Sequence, residues 1–427
     1  MNVRAYGIVT AAYWGQTVTD GALHMLVLLH FYTLGFTPFQ IALLFVLYEL
    51  MGVVTNLLGG WIAARFGLNS TLYAGLSLQI TALLLLAALD PAWPVLWSVV
   101  YASGIKGLAG IAKDLTKMSS KSAIKLIVDP NAEGALFKWV AVLTGSKNAM
   151  KGAGFFLGGL LLATIGFQAG LLLLALCLVV VLIGTLVSLP RGLGRARVKP
   201  AVTALFAKSA AINRLSFARF FLFGARDIWF VVAVPIFLYE IAGWNFIQVS
   251  TFLALWIIGY GFVQTLAPRL VRRTTEGLEG EVRAARFWIL GLAVLPLALV
   301  VALAQVVPWQ FLVDHTATPP APIAAAGITL AVGLGLFGVV FAVNSSLHSF
   351  LILAYAKAED VAMDVGFYYM ANAAGRLTGC LLSGLVYQLA GVAAALATAA
   401  VFLFIGWLVS LALPMRPEHL AVTSSRV

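Results

Sequence analysis

The chain has 427 residues, of which 62% are hydrophobic and 10% charged, and its net charge is +11. No water-soluble domain of this size has that composition, so the chain reads as a polytopic membrane protein. Its positive charge lies mainly in short loops and not in a basic domain, which indicates membrane topology rather than a nucleic-acid partner.

A membrane-spanning helix needs about 20 predominantly apolar residues. By that measure the sequence predicts twelve spans, at 7–32, 39–62, 70–89, 95–113, 135–165, 167–189, 214–239, 247–268, 285–307, 323–353, 366–389 and 391–413. The first apolar stretch is too long for a signal-peptide core and no cleavage pattern follows it, so it is read as the first span. Loops after odd-numbered spans carry no Lys or Arg, as in Thr33–Pro38, Glu240–Phe246 and Pro308–Pro322. Loops after even-numbered spans are basic. They hold Arg65; Lys117, Lys121 and Lys125; Arg191, Arg195, Arg197, Lys199 and Lys208; and Arg269, Arg272, Arg273 and Arg283. That asymmetry predicts that both termini are cytoplasmic. Asn69-Ser70-Thr71 has the form of a glycosylation sequon but falls on the cytoplasmic side, so it is read as chance. Cys177 and Cys380 lie inside spans far apart in sequence, which argues against a disulfide framework. The five histidines show no metal-ligand spacing, and no metal or cofactor is expected.

The chain repeats itself. Gly35-Phe36-Thr37-Pro38-Phe39-Gln40-Ile41 aligns with Gly243-Trp244-Asn245-Phe246-Ile247-Gln248-Val249 at an offset of 208, which also pairs Asn56 with Gln264. Later the offset becomes 225, pairing Lys151 with Arg376, Gly154 with Gly379, Gly159 with Gly384 and Gly166 with Gly391. The long loop Pro308–Pro322 absorbs the difference. A six-span bundle at 1–189, a basic linker at 190–213 and a second six-span bundle at 214–427 describe a parallel duplication. The stretch Gly60-Trp61-Ile62-Ala63-Ala64-Arg65-Phe66-Gly67 resembles the G-x-x-x-D-R-x-G signature of the major facilitator superfamily. It departs from that signature at the acidic position, which holds Ala64. The resemblance implies an all-α fold of twelve transmembrane helices in two pseudo-symmetric six-helix halves.

Ionisable residues recur at membrane depth. Asp20 and His24 are four apart on the first span and share a face. Glu49 is central in the second. Lys106 stands among Gly104, Gly107 and Gly110 in the fourth, with Lys113 and Asp114 following. The fifth carries Lys147, Asn148 and Lys151, and the seventh carries Arg219, Arg226 and Asp227. Asn344, Ser345, Ser346 and His348 lie on the tenth span, and Tyr368, Tyr369, Asn372 and Arg376 on the eleventh. A charge at the centre of a membrane helix costs about 2.5–3.5 kcal/mol on insertion scales, so such residues are paired, hydrated or functional. Internal pairing, such as Asp20 with Lys147 or Asp227 with Arg376, cannot neutralise the set. Lys106, Lys147, Lys151, Arg226 and Arg376 outnumber Asp20, Glu49 and Asp227 by two, even before Arg219 is counted. An excess of deep cation suits an anionic substrate, and phosphate-like oxyanions match the Arg fork and the Lys point charge. Trp14 and Trp229 are assigned no role beyond cavity lining. There is no phosphate-binding loop and no catalytic triad, so enzyme activity is not expected.

Long polar strings carry a more specific likeness. Gly110-Ile111-Ala112-Lys113-Asp114-Leu115-Thr116-Lys117-Met118-Ser119-Ser120-Lys121, Leu143-Thr144-Gly145-Ser146-Lys147-Asn148-Ala149-Met150-Lys151-Gly152, Phe223-Gly224-Ala225-Arg226-Asp227-Ile228-Trp229, Ala342-Val343-Asn344-Ser345-Ser346-Leu347-His348-Ser349 and Asp364-Val365-Gly366-Phe367-Tyr368-Tyr369-Met370-Ala371-Asn372 resemble the ArsJ organoarsenical efflux permeases. The likeness runs from Thr17 to Pro414. It implies a bacterial inner-membrane exporter of 1-arseno-3-phosphoglycerate, made when glyceraldehyde-3-phosphate dehydrogenase uses arsenate in place of phosphate. It therefore implies a functional link to that dehydrogenase and a role in arsenate resistance. The residues expected to line the site are Lys106, Lys147, Lys151, Arg226, Arg376, Asn148, Asn344, His348, Tyr368 and Asn372. Asp20, His24, Asp227 and Glu49 are the expected proton-coupling set, and the basic mouth from Lys113 to Lys125 would attract the anion. A monomer is expected. The cations suit an organophosphate/phosphate antiporter equally. An anion-binding sensor without flux is a rival of another class, and a proton-coupled drug pump would need an acidic cavity instead.

Overall fold

The structure, a computed structural model, describes residues 3–90, 92–123, 135–190, 209–272, 277–356 and 361–415. Lys125, most of the linker with Arg191, Arg195, Arg197, Lys199 and Lys208, Arg273 and the tail beyond Met415 lie outside them. So do the side chains of Arg65, Lys121, Arg269 and Arg272. Among the described residues the chain is all helix. In order the helices are α1 (Val3–Thr33), α2 (Pro38–Ala87), α3 (Val95–Ala123), α4 (Ala135–Thr164), α5 (Gly166–Ser188), α6 (Ala210–Phe230), α7 (Ala233–Glu240), α8 (Phe246–Arg272), α9 (Gly277–Ala304), α10 (Gln310–Val313), α11 (Ala324–Tyr355) and α12 (Val361–Leu411).

Twelve spans emerge from these elements because two of the helices are bent double. α2 turns at Gly67 (φ 77°) and α12 at Ala390 and Gly391 (φ 66°), so each supplies two spans. The predicted span 214–239 is instead broken. α6 ends at Phe230 and α7 begins at Ala233. Pro235 explains the break, since its ring clashes with the carbonyl four residues back, at Val231. The backbone N–H groups of Val232 and Ala233, at the start of α7, both donate to Ser383 Oγ, at 3.1 and 3.2 Å.

Nine helical segments among the described residues are long and apolar enough to cross a membrane, and one of them is the doubled α12. α1 and α4 are not among the nine. They are the helices diluted by Asp20 and His24 and by Lys147, Asn148 and Lys151. Leu172, Leu176, Val180 and Val187 of α5 are exposed, as a lipid-facing surface requires.

The chain forms two compact units. One comprises Met1–Phe36, Leu43–Val202 and Phe246–Ile258; the other comprises Thr37–Ala42, Thr203–Asn245 and Gly259–Val427. Matched glycines in the two units do matched work. Gly35 and Gly243, related by the offset of 208, both have positive φ (83° and 71°), and so do Gly166 and Gly391, related by 225 (80° and 66°). Only glycine adopts that backbone without steric cost. In the first unit a Cβ at Gly159 would strike Ser250 and the Phe246 carbonyl. In the second a Cβ at Gly384 would strike Ala42 and the Pro38 carbonyl. The offset of 208 relates Pro38 to Phe246 and Ala42 to Ser250, so both offsets meet in one pair of equivalent contacts.

Each unit is closed by backbone-to-backbone approach of its helices, the usual device where lipid offers no hydrophobic drive. In the first, Gly154 of α4 lies on the Val18 carbonyl and Gly21 of α1. In the second, Gly379 of α12 lies on the Gly224 carbonyl and Asp227 of α6. The far end of α12 is capped by basic side chains. Arg286 donates to the carbonyls of Ser410, Leu411 and Leu413, and Arg214 to that of Ala412, satisfying groups a helix end leaves unpaired.

Candidate functional site

In the first unit the organising side chain is Tyr48, which the sequence did not single out. Its hydroxyl donates to Asp20 Oδ2 at 2.7 Å. Its ring faces two ammonium groups, with Lys113 Nζ 3.9 Å and Lys106 Nζ 4.6 Å from the centroid. Lys106 is fully buried, and its Nζ is also 5.1 Å from the Phe45 centroid. Gly110 permits this crowding, because a Cβ there would strike the Tyr48 backbone. Asp20 is buried, and its Oδ1 accepts no hydrogen bond among the described residues. His24, one turn on, stacks on Phe45 (4.3 Å) and Phe155 (5.4 Å). Lys151 Nζ reaches the Phe155 ring at 5.5 Å. Asp20, His24, Lys106 and Lys151 are therefore brought together through Phe45, Tyr48 and Phe155. Lys147 and Asn148 are half-buried on α4, and Glu49 is buried on α2.

Lys117, one of the lysines expected to attract the anion, is held by neighbouring side chains. Its ammonium pairs with Asp114 (3.2 Å) and donates to Asn56 Oδ1 (2.7 Å), while Thr55 donates to Asp114. The group ties α3 to α2. The other residues expected to attract the anion were Lys113, which faces Tyr48, and Lys121 and Lys125. Asn69 spends its amide on the Pro190 carbonyl.

In the second unit the centre is Asp227. Arg226 forms an ion pair with its Oδ1, the Nε bond being 2.6 Å, and Arg376 Nε donates to Oδ2 at 3.3 Å. One carboxylate thus holds two guanidiniums, and the trio keeps a charge of +1. The two arginine side chains are 16% and 21% exposed, whereas Asp227 is 2% exposed, so the cationic side of the trio is the accessible one. Phe223, Phe230 and Phe341 lie 5.3 to 6.0 Å from the Arg226 guanidinium and form an aromatic wall.

A second cluster lies two turns back along α6. Arg219 donates from Nε to Asn372 Oδ1 (2.9 Å) and from Nη1 to Ser345 O (3.1 Å) and Oγ (3.0 Å). Its guanidinium stacks on Phe223 at 3.9 Å and lies 5.0 Å from the Tyr368 ring. Asn372 and Tyr368 therefore gather on Arg219 and not on Arg226. His348 is fully buried one turn from Ser345. Asn344 belongs to neither group. Its amide donates to the Ala285 carbonyl at 2.9 Å and joins α11 to α9. Trp229 is fully buried against Phe230 and Phe337, a core residue and not a cavity wall, while Trp14 donates to Ser146 Oγ.

The glycine contacts fix a third offset. Gly154 meets Val18 and Gly21 as Gly379 meets Gly224 and Asp227, so 206 residues relate α1 to α6. Asp20 then stands where the second unit has Arg226. A groove of about 550 Å³ between α6 and α12, lined by Phe217, Phe220, Phe367 and Met370, holds none of these ionisable candidates.

Among the described residues no three His, Cys, Asp or Glu side chains converge as metal ligands. In fold the chain is similar to several solved transporters. One is a POT family transporter crystallised with a thioalcohol-conjugated peptide (14% identity, TM-score 0.69, 96% of this chain and 95% of that one). Another is a POT family transporter crystallised with 5-aminolevulinic acid (14% identity, TM-score 0.70, the same coverage). A third comes from work on substrate recognition in proton-dependent oligopeptide transporters (13% identity, TM-score 0.67, 96% and 98% covered). At that identity the likeness concerns the fold. No curated protein matches the sequence. The sequence does match the Major Facilitator Superfamily across residues 6–349, most of its length. Taken with the twelve spans, that match makes this chain a multi-pass membrane protein and a member of the major facilitator superfamily of transporters.

Proposed function

We propose that the protein is a secondary active exporter of an organic arsenate ester, 1-arseno-3-phosphoglycerate, with both termini in the cytoplasm of a bacterial cell. The observation that carries the reading is the sign of the buried charge. Arg226 and Arg376 share a single carboxylate in one unit. In the other, Lys106, Lys113 and Lys151 gather on aromatic faces around Asp20. The arsenate and phosphate heads of such an ester match the donors of these cations. Arg226 and Arg376 suit one head through their forked donors, and the lysines suit the other as movable charges. The polar strings that resemble those of the ArsJ permeases favour this anion among the phosphate-like ones.

Asp20 is the proposed proton carrier. Among the described residues nothing donates to its buried Oδ1, so a proton gained there would remove a buried charge while Tyr48 keeps its hydrogen bond. His24 lies one turn away to pass the proton on. Alternating access would move the site from one side of the membrane to the other.

Expression in an arsenate-sensitive cell, with and without an arsenate-using glyceraldehyde-3-phosphate dehydrogenase, tests the substrate. Resistance should require both proteins, and equal resistance without the dehydrogenase refutes the ester. The organophosphate/phosphate antiporter is separated by counterflow in proteoliposomes, since only that reading predicts exchange of phosphate for a sugar phosphate. Arg376→Gln and Lys151→Gln should abolish export at normal expression.

A further inference from the structure

We propose that Arg219, together with His348, forms a second anion site inside the C-terminal unit, built for an oxyanion that carries one negative charge and a proton. The proposal rests on the anion-export reading above and adds to it a station that the Arg226–Arg376 pair does not provide.

The first observation is a charge without a counter-charge. Arg219 is 3% exposed, and its hydrogen bonds among the described residues all go to neutral acceptors, the Asn372 amide and Ser345. Among the described residues no carboxylate forms an ion pair with it, whereas Asp227 is already taken by Arg226 and Arg376. A buried cation of this kind is costly unless something of opposite sign completes it. The second observation is the donor inventory. A guanidinium has five N–H groups. Nε and Nη1 account for the bonds above, and the two N–H groups of Nη2 make none among the described residues.

The third observation is His348. It is fully buried, yet neither ring nitrogen has a hydrogen-bond partner among the described residues. It sits three residues from Ser345 and one from Ser349, whose hydroxyl donates to the Ser345 carbonyl at 2.9 Å. Ser345, which Arg219 contacts, lies one helical turn away on the same face of α11. A neutral imidazole offers one donor and one acceptor, and both need partners when buried. Added to Nη2, the site offers three donors, one acceptor and one positive charge. A monoprotonated phosphate or arsenate group matches that set, because its oxygens accept and its hydroxyl donates to the imidazole. Chloride has no hydrogen to give the imidazole, and sulfate brings a second charge and no hydroxyl. The cluster is held by four helices. α6 supplies Arg219, α11 Ser345 and His348, and α12 Tyr368 and Asn372. From α8, Tyr260 pairs with Ser345 at 3.1 Å, and Gln264 donates to it at 3.4 Å.

Arg219 and Arg226 are seven residues apart on one helix, about 10 Å along its axis, and therefore on one face. Phe223 lies between them, 3.9 Å from one guanidinium and 5.3 Å from the other. An oxyanion leaving Arg226 would thus find a second positive charge two turns nearer the start of α6. Its source is either one head of the transported ester or a free inorganic anion bound as counter-substrate.

The test measures binding to the purified full-length protein in detergent, by calorimetry and thermal unfolding, with inorganic phosphate, sulfate and chloride. Phosphate should bind and raise the unfolding temperature, with sulfate and chloride at least tenfold weaker. The phosphate effect should survive in a double variant, Arg226→Gln with Arg376→Gln, and disappear in Arg219→Gln. Arg219→Gln should also unfold no earlier than the parent in phosphate-free buffer, because the uncompensated charge is gone. Should that variant not fold, His348→Phe serves. It keeps the buried ring and should weaken phosphate at least tenfold. A phosphate monoester of glycerate should compete with phosphate if the site takes a substrate head, and bind alongside it if the site takes a counter-anion. Either result supports the site. Phosphate binding that vanishes in the double variant and persists in Arg219→Gln and His348→Phe overturns it, as does equal binding of chloride or no binding at all. None of these outcomes touches the arsenate-resistance test, so the two readings fail separately.

Discussion

Asp227→Asn is the sharpest probe of the arginine pair. In the parent, Oδ1 serves Arg226 and Oδ2 serves Arg376, so one carboxylate holds two guanidiniums. Asparagine keeps the shape, removes the charge and turns an amide donor toward one of the arginines. Removing one partner of a buried ion pair costs about 3–5 kcal/mol, because the other charge is left uncompensated. Here the arginines are 16% and 21% exposed and partly hydrated, so a cost of about 3 kcal/mol is expected, at the low end of that range. The same change raises the charge of the trio from +1 to +2 and opens both forks to a ligand. Thermal unfolding in detergent should therefore show a variant that is weaker than the parent without phosphate and gains more from it. At a phosphate concentration of one hundred Kd, binding returns about 2.7 kcal/mol, nearly the whole loss. Export should slow, since an anion facing a trio of higher positive charge is released less readily. If Asp227→Asn loses stability and phosphate restores none of it beyond the parent's own gain, the trio is a structural ion pair and the arginines do not bind the substrate.

Three further changes have outcomes fixed by the geometry. Tyr48→Phe removes the donor to Asp20 Oδ2 and leaves both carboxylate oxygens without one, so a destabilisation of about 1.5–3 kcal/mol is expected in chemical unfolding. Ser383→Ala strips the acceptor from the Val232 and Ala233 N–H groups at the break between α6 and α7, and hydrogen exchange at those two amides should rise well above that of the flanking turns. Asp314, in the exposed loop after α9, has its carboxyl held below the usual range chiefly by the Thr316 hydroxyl. A depressed carboxyl stabilises the loop above its unfolded pKa and ceases to do so as pH falls through the folded one. Proteolysis of this loop should therefore be flat from pH 8 to 5 and rise only in more acidic buffer, whereas Thr316→Val should move the rise upward.

Glycine spacing made much of the architecture legible. Gly35 with Gly243 and Gly166 with Gly391 announced two copies of one bundle, and the structure gives each pair the same left-handed backbone. The cations were legible as well, because charge in an apolar run has no trivial explanation. What escaped were partners that look ordinary in sequence. Tyr48 is one tyrosine in an apolar helix, and nothing in its neighbours reveals that two lysines and an aspartate converge on it. Asn344 reads like a site residue because it adjoins Ser345, yet its side chain turns to the Ala285 carbonyl. A helix places consecutive residues about 100° apart, so adjacency on the chain separates them in space. The break at Val232 was hidden for a similar reason. Pro235 hinted at it, but the group that makes it tolerable, Ser383, is about 150 residues away.

The duplication also bears on how the proposed driving force and substrate would be divided. Backbone contacts relate α1 to α6 by 206 residues, and under that relation the place of Arg226 is occupied by Asp20. Two copies of one bundle thus carry opposite charges at one position. A symmetric site would bind an anion equally in both halves and would leave no group to couple it to a proton. With the sign inverted, the second unit can offer its arginines to one head of the proposed ester, while the first sets a carboxylate beside the lysines proposed for the other. The division predicts a split in function. Asp20→Asn should abolish uphill export driven by a proton gradient yet leave exchange between equal pools of substrate, because the arginines are intact. Arg226→Gln should abolish both. Proteoliposomes loaded with labelled substrate, assayed with and without an imposed gradient, separate these outcomes. Loss of exchange in Asp20→Asn at normal folding would place Asp20 in substrate binding and remove it from proton coupling.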